Sequence, residues 1–250
     1  MHYKLISCEV FKDELLHCID NTENIIDAEF IAKGIHDLSN AEMRNRIEKS
    51  IRQSEGLGFD AILLGYGLCN TWVFGLSAQQ TKIVIPKSHD CIGILMGSKQ
   101  KYLDYYFKNP GTYFQSVGWL KNTENEPSIK KRSIQKLYGM DVSQEELKEK
   151  YGEKHINYLN DSMNQTKHYS KMAFIDTGTV NNTHYQIKAK DNAKNNNWNF
   201  DVLKGNVQLL QQLVNGNWPD SEFLIINPGT TVTQSMDNDL IYTTATVSPV

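Results

Sequence analysis

Short apolar segments alternate with amphipathic segments along the first 120 residues, and this alternation restricts the folds open to the chain. In the amphipathic segments, apolar residues such as Met43, Ile47 and Ile51 recur at four-residue spacing, which is typical of one face of a helix. Strands that alternate with helices predict a mostly parallel sheet with crossover connections. The predicted strands are YKLIS (3–7), DAEFIAKGI (27–35), GFDAILLGYG (58–67) and TKIVIP (81–86).

The predicted fold class is α/β: a Rossmann-like, mostly parallel sheet with helices on both faces and a helical insertion. Residues 1–120 form an N-terminal α/β part that carries the cysteine motifs. Residues 121–170, where Lys, Glu, Asn and Gln accumulate, predict a mostly helical polar insertion, in which Ser143 and Glu146 have the spacing of a capping box. Residues 171–250 predict a C-terminal α/β part that completes the same domain.

The order of elements after residue 90 follows from the same patterns. An apolar stripe at Leu203, Val207, Leu210 and Val214 indicates an amphipathic helix. The predictions are a helix over 91–107, a strand over 111–120, a strand over 171–179, the amphipathic helix over 200–216, a strand over 222–230 and a frayed tail over 243–250.

Composition excludes several classes of protein. Hydrophobic residues make up 40% of the chain and charged residues 22%, which is typical of a globular protein. The net charge of −3, without a basic stripe, argues against nucleic acid as a partner. The chain has no run of about 18 apolar residues that could span a membrane, and its N-terminus lacks the pattern of a signal peptide. We therefore expect a cytoplasmic protein, in which thiols stay reduced.

Three of the four cysteines follow predicted strands. Cys8 comes directly after the first strand, Cys69 follows the third after a short glycine-containing turn, and Cys91 follows the fourth across KSHD. The carboxyl ends of parallel strands lie at one edge of a sheet, where ligands of open α/β sheets bind. The three thiols are therefore predicted to meet there, although cysteines also serve as plain core residues. Cys18 lies among apolar residues of a predicted helix and is interpreted as a packing residue.

Three converging thiolates in a reducing compartment suit a metal. Zinc accepts tetrahedral cysteine and histidine ligands, and a catalytic zinc site keeps one position open. A [4Fe-4S] cluster is the alternative, because three thiolates would leave one iron without a protein ligand. Glu9 is adjacent to Cys8, while His89 and Asp90 precede Cys91, so these three are candidate catalytic proton carriers or further ligands.

The tetrapeptide Asn-Pro-Gly-Thr occurs twice, at 109–112 and at 227–230. Two similar turns or a duplicated half-domain would both explain the repetition, since Pro-Gly is a common turn pair. In an enzyme, these turns could offer backbone N–H groups to an anionic part of the substrate. The predicted cofactor-binding or substrate-binding residues are Gly67 and Asn70 beside Cys69, and Gly111, Thr112, Gly229 and Thr230 in the two turns.

Other catalytic motifs do not match. GYGLCN is not followed by the Lys-Ser/Thr of a phosphate-binding loop, and no GxGxxG joins the first strand to its helix. GLSAQ lacks the second glycine of a nucleophile elbow. The aromatic cluster Tyr102, Tyr105, Tyr106 and Phe107 is interpreted as core and groove lining rather than a surface for stacking bases.

The succession ISCE, YGLCN, PKSHDCIGILMGS and PGTYFQSVGW over 3–120, with FLIINPG near the end, resembles the family DUF1638. The resemblance implies a cytoplasmic protein of anaerobic one-carbon metabolism, often encoded near corrinoid-dependent methyltransferases. It also implies that Cys8, Cys69 and Cys91 act together. Some relatives place a histidine directly before the third cysteine, whereas Asp90 separates His89 from Cys91 here.

These features lead to four hypotheses. The favoured one is an enzyme whose three-cysteine zinc site handles a small-molecule thiol or methyl donor, as a metal-dependent methyltransferase or lyase. The second is an iron–sulfur protein, and the third is an accessory or metallochaperone subunit that docks on a corrinoid protein or methyltransferase through 121–170. The fourth is an α/β domain with unrelated buried cysteines.

Overall fold

The computed structural model of the protein describes residues 1–32, 40–68, 72–125, 169–179, 181–234 and 241–245. The strands are β1 (His2–Cys8), β2 (Ile25–Ile31), β3 (Ala61–Gly65), β4 (Ile83–Pro86), β5 (Thr112–Ser116), β6 (Lys171–Asp176), β7 (Asn199–Lys204), β8 (Phe223–Ile226), β9 (Thr230–Gln234) and β10 (Ile241–Ala245). The helices are α1 (Lys12–Asp20), α2 (Asn40–Ser54), α3 (Cys91–Met96), α4 (Lys99–Lys108), α5 (Val117–Asn125), α6 (Thr183–Asn195) and α7 (Gln208–Asn215). A single 3-10 turn, Glu9–Phe11, joins β1 to α1.

The first sheet has five strands in the order β2-β1-β3-β4-β8. β2, β1, β3 and β4 run parallel, and β8 pairs antiparallel with β4. All five residues of β3 are buried, as expected for a central strand covered on both faces. The predicted α/β class with a mostly parallel sheet is therefore confirmed.

A second, three-stranded parallel sheet has the order β5-β6-β7. Met172 and Phe174 of β6 pack with Val117 and Ala189 in a second core, whereas Ile175 packs into the main core. Successive residues of a strand face opposite sides, so β6 is covered on both faces. The second sheet therefore lies between the main core and a layer formed by α5 and α6.

Two helices cover the first sheet through complementary apolar faces. α1 buries Leu15 and Cys18, and α7 buries Leu210 and Val214. Cys18 is 0% exposed and belongs to the main core, which confirms its interpretation as a packing residue. Burial, and secondarily the nearby Glu14, raises the pKa of the Cys18 thiol to about 12.

Two predicted elements prove to be a strand followed by a helix. The strand predicted over 111–120 ends at Ser116, and α5 begins at Val117. The helix predicted over 200–216 begins at Gln208, since the preceding residues form β7. In both cases one apolar run continues across the junction, so periodicity alone did not reveal the boundary.

Three smaller differences concern helices and the tail. The helix predicted over 91–107 is broken at Gly97, whose φ of 67° ends α3 in the left-handed region. Thr243–Ala245 of the predicted frayed tail pair with β9 as part of β10. The sequence did not predict α6, and most of the predicted helical insertion, residues 126–168, lies outside the described residues.

Within the described ranges, no helix combines the length and apolarity needed to cross a bilayer.

Candidate functional site

The parallel strands bring Cys8 and the loop before Cys91 to one edge of the first sheet. Cys8 is the last residue of β1 and is buried, and Cys91 is the first residue of α3 and is partly exposed. β1 and β4 are the two neighbours of β3, so their axes are roughly 10 Å apart. Cys91 follows β4, as predicted, whereas Cys8 is the last residue of β1 and does not follow it.

The chain that leaves β3 lies directly against the loop that carries Cys91. Leu68 N–H donates to the Ser88 carbonyl oxygen at 2.9 Å. A Cβ atom on Gly67 would lie 2.5 Å from the Asp90 carbonyl carbon, so only glycine permits this backbone contact. Cys69 and Asn70, the next residues in the chain, lie outside the described residues.

Trp72 also bonds to the segment that leaves β3, since its Nε1–H donates to the Gly67 carbonyl oxygen at 3.1 Å. Trp72 is 2% exposed, so this hydrogen bond is protected from water. Residues 68 and 72 are therefore both fixed at the carboxyl edge of the sheet by hydrogen bonds to the backbone.

Tyr66 is a site residue that the sequence reasoning missed. Its side chain is 1% exposed and its hydroxyl has no hydrogen-bond partner. Burial raises the pKa of Tyr66 well above its usual value, and the nearby Cys8 and Glu29 raise it further. The hydroxyl is therefore a neutral hydrogen-bond donor near Cys8. Its position between two glycines, in the turn that leads to Cys69, was the available signal.

The three predicted proton carriers differ in their surroundings. Asp90 Oδ1 accepts a hydrogen bond from Gly93 N–H at 3.0 Å and so caps α3, and the Tyr102 hydroxyl also bonds this carboxylate. Asp90 therefore has a structural role in the loop before Cys91. His89 is exposed, and Glu9 is partly exposed at the start of the 3-10 turn.

Nowhere in the described ranges do three His, Cys, Asp or Glu side chains lie close enough to hold a metal ion. The third predicted ligand, Cys69, is outside those ranges. The three-cysteine site therefore stays a prediction.

The two Asn-Pro-Gly-Thr segments adopt the same turn. The Thr112 and Thr230 hydroxyls each donate to the carbonyl oxygen of the asparagine three residues earlier, at 2.7 Å in both cases. The two turn glycines have φ values of 73° and 78°, which favour glycine. The interpretation as two similar turns is confirmed.

The second of these turns lies far from the cysteines. β8 runs antiparallel, so its last residue, Ile226, pairs with Ile83 at the beginning of β4. Gly229 and Thr230 follow at the edge opposite to Cys8. Their N–H groups donate to Ala78 and Asn227 carbonyl oxygens, so they are not available to a substrate at the cysteine edge.

A pocket of about 760 Å³ opens between α3, α4 and β5, next to Cys91. Ile92 and Leu95 of α3, Tyr102 and Tyr106 of α4, and residues 111–116 contribute to its walls. The predicted binding residues Gly111 and Thr112 therefore lie in this pocket. The interpretation of the aromatic cluster as groove lining is confirmed for Tyr102 and Tyr106, whereas Phe107 is 75% exposed.

Gly67→Ala is expected to raise the alkylation rate of Cys91 severalfold. The new methyl group would push the Asp90 backbone away and loosen the cap of α3, at a cost of about 2 kcal/mol in folding stability. Peptide mapping by mass spectrometry after timed alkylation measures the rate. Gly58→Ala adds a Cβ that meets no atom within 4 Å, but its φ of 84° is unfavourable for alanine; it therefore controls for general destabilisation and should leave the rate unchanged. An unchanged rate in Gly67→Ala would contradict the described contact.

Comparison with known proteins places the chain in a family. The sequence model of one family, described as "Protein of unknown function (DUF1638)", matches residues 30–214. This range includes Cys69 and Cys91 and the polar stretch after residue 120, but begins after Cys8. No curated protein and no solved structure matches the chain significantly. Because the match covers most of the sequence, the chain belongs to the DUF1638 family of proteins of unknown function.

Proposed function

We propose that the protein binds a metal ion through Cys8, Cys69 and Cys91 and is an enzyme of thiol or methyl-group chemistry. The observation that carries the proposal is the common edge of the first sheet. Cys8 ends β1 and Cys91 follows β4 at this edge, and Leu68, which precedes Cys69, is hydrogen-bonded to the loop before Cys91. The proposal therefore requires that the three thiols converge at this edge.

The chemistry of these donors fits zinc best. Three thiolates leave one of the four tetrahedral positions for a substrate, as in catalytic zinc sites. Zinc in such a position lowers the pKa of a bound thiol and keeps it as a nucleophilic thiolate at neutral pH. A [4Fe-4S] cluster is the alternative for the same three residues.

The neighbouring side chains have separate roles in this proposal. The neutral Tyr66 hydroxyl donates a hydrogen bond to a group that binds beside Cys8. Glu9 and the exposed His89 exchange protons with solvent. Asp90 positions Cys91, because its carboxylate caps the helix that begins there.

The substrate class, a small-molecule thiol or methyl donor, follows from the chemistry of a zinc–thiolate site. A corrinoid protein or methyltransferase as partner, and a place in anaerobic one-carbon metabolism, are supported by the family resemblance alone. Cytoplasmic location is part of the same proposal, since reduced cysteines are needed as ligands.

Metal and sulfide analysis of anaerobically purified protein tests the proposal. We expect about one zinc per chain, and loss of most of it in Cys8→Ser, Cys69→Ser and Cys91→Ser, because each replacement removes one ligand. Cys18→Ser is the matched control and should keep the metal, since this thiol is buried among apolar side chains away from the edge.

The other outcomes are also decisive. Iron with stoichiometric sulfide would mean that the same residues bind an iron–sulfur cluster and not zinc. Protein without stoichiometric metal, or metal that survives all three edge substitutions, would overturn the proposed site.

A further inference from the structure

The register of β5 shows which of its side chains face the pocket beside Cys91. Ser116 pairs with Ile175 of β6, and residues that pair across a sheet point to the same face. Ile175 belongs to the main core, and Phe114, two residues before Ser116, packs against that core as well. The Ser116 side chain therefore points to the face of the second sheet that α3 and α4 cover, whereas Gln115 points to the other face.

The Ser116 hydroxyl has no hydrogen-bond partner. The residue is 1% exposed, and its Oγ is buried. Thr112 lies on the same face, but its hydroxyl already donates to the Asn109 carbonyl oxygen at 2.7 Å. Buried hydroxyl groups normally find a partner, so an unpaired one among the residues that line a pocket points to a partner supplied by a ligand.

The other walls on this face are apolar and aromatic. Ile92 and Leu95 of α3 line the pocket, and Tyr102 of α4 meets Phe114 edge to face with ring centroids 5.8 Å apart. Among the described residues that line the pocket, none carries a charged side chain. A charged group bound here would lose hydration without gaining an ionic partner, so these walls favour an uncharged, apolar ligand.

The pocket leads to the end of α3 that carries Cys91. Leu95 lines the pocket, and Cys91 lies four residues earlier, one turn away on the same side of the helix. Tyr102 gives the same direction, because its ring lines the pocket while its hydroxyl bonds the carboxylate of Asp90, the residue before Cys91. A ligand in the pocket can therefore extend toward this thiol.

We propose that the substrate bound at the cysteine edge has an uncharged, apolar tail that occupies this pocket, and that a carbonyl oxygen of the tail accepts a hydrogen bond from the Ser116 hydroxyl. The inference rests on the proposed function, since it assigns the tail of the thiol or methyl donor. The volume of about 760 Å³ is within the range of small-molecule sites. The site then selects apolar thiols over acidic ones.

Equilibrium dialysis with two probes of matched shape tests the tail alone. The probes are 4-phenylbutan-2-one and 3-phenylpropanoate, in which a charged oxygen replaces the methyl group of the ketone. We expect the ketone to bind saturably, with one site per chain, and the carboxylate to bind at least tenfold more weakly. Ser116→Ala should weaken ketone binding about fivefold, because it removes one hydrogen bond. Ser54→Ala is the matched control, since this buried hydroxyl donates within α2, and should leave binding unchanged.

A second measurement tests the connection to the cysteine edge. In protein loaded with cobalt in place of zinc, 3-phenylpropane-1-thiol should change the visible absorption at about tenfold lower concentration than 3-mercaptopropanoate, since only the first has a tail that suits the pocket. Ile92→Trp fills the pocket with a larger side chain and should remove this difference. Equal concentrations for the two thiols in the wild type would overturn the assignment of the pocket to the substrate.

The remaining outcomes separate this proposal from the metal site. Cys91→Ser should keep ketone binding even where it loses metal, so the two proposals fail separately. No saturable ketone binding at about 10 mM, which is weak for a ligand of this size, would overturn the pocket as a binding site. Equal binding of ketone and carboxylate, or ketone binding that is unchanged in Ser116→Ala, would overturn the proposed recognition.

Discussion

Glu14→Gln is expected to raise the free energy of unfolding by about 3 kcal/mol at pH 8 and to leave it almost unchanged at pH 4. Glu14 lies on α1 and its side chain is 1% exposed. Its Oε1 accepts a hydrogen bond of 3.3 Å from the Thr177 hydroxyl, while Oε2 has no partner. A carboxylate in such surroundings is unfavourable, because it loses hydration and its few hydrogen bonds compensate for only part of that loss.

Charged neighbours do not relieve this cost. Burial is the main cause that raises the pKa of Glu14 from 4.5 to about 7, and Asp13 adds to the increase. Lys121 is close enough to lower the pKa slightly, but its ammonium group is held by Asp13 at 2.9 Å. The positive charge near Glu14 is therefore largely neutralised.

The direction of the pH effect follows from the raised pKa. Below pH 4.5 the carboxyl is protonated in both the folded and the unfolded chain, and glutamine only mimics it. Between pH 4.5 and about 7 the Glu14 carboxyl ionises in the unfolded chain but stays mostly protonated in the folded chain. The free energy of unfolding of the wild type therefore falls across this window, whereas that of the variant does not. Above that window the difference is constant.

Urea unfolding at a series of pH values measures this difference. Glu23→Gln, which alters an exposed carboxylate, is the control and should change stability by less than about 0.5 kcal/mol throughout. A Glu14→Gln variant with the same stability as the wild type at pH 8 would show that the carboxylate is well solvated or paired in the folded protein.

The sequence predicted the part of the fold that local patterns determine. β3 and β4 are short, almost continuous apolar runs, which is typical of strands buried on both faces, and β1 has apolar residues at Tyr3, Leu5, Ile6 and Cys8. Because these strands are parallel, the sequence also predicted that Cys8 and Cys91 lie at one edge. That inference needs strand direction only, without side-chain detail.

Strand partners and strand direction could not be predicted in the same way. The run of β8 is as apolar as that of β4, and nothing local in it indicates that the strand runs antiparallel. Gly229 was therefore included among the predicted binding residues, although it lies at the edge of the sheet opposite to Cys8. Likewise β5 and β6 pair with each other across the polar stretch, where the sequence predicted a single sheet.

Tertiary hydrogen bonds set the boundary that periodicity missed after β7. Gly205 N–H donates to the Asp176 carbonyl oxygen, and Asn206 N–H donates to that of Leu95. These bonds hold two residues in an extended connection between β7 and α7. The partners are 29 and 111 residues away in the chain, so no local window of sequence contains this information.

Phe174→Ala is expected to lower the free energy of unfolding by about 4 kcal/mol, because it removes a fully buried ring and leaves a cavity. Phe174 is 0% exposed and packs in the second core with Met172 and Val117. The neighbouring Ile175 faces the main core instead. The substitution should therefore weaken the packing of α5 and α6 on the second sheet and leave the first sheet intact.

Amide hydrogen exchange, combined with urea unfolding, distinguishes a local loss of stability from a global one. Exchange in β6 and α6 should accelerate strongly, whereas exchange in β3 should change only as far as global stability falls. Phe107→Ala removes a ring that is 75% exposed and is the matched control, with an expected change below about 0.5 kcal/mol. Equal acceleration in β3 and β6 would mean that the two sheets unfold as one unit; a loss below about 1 kcal/mol would mean that Phe174 is not packed as described. The distinction matters for the pocket, because β5 belongs to the second sheet while Cys8 and the start of α3 depend on the first.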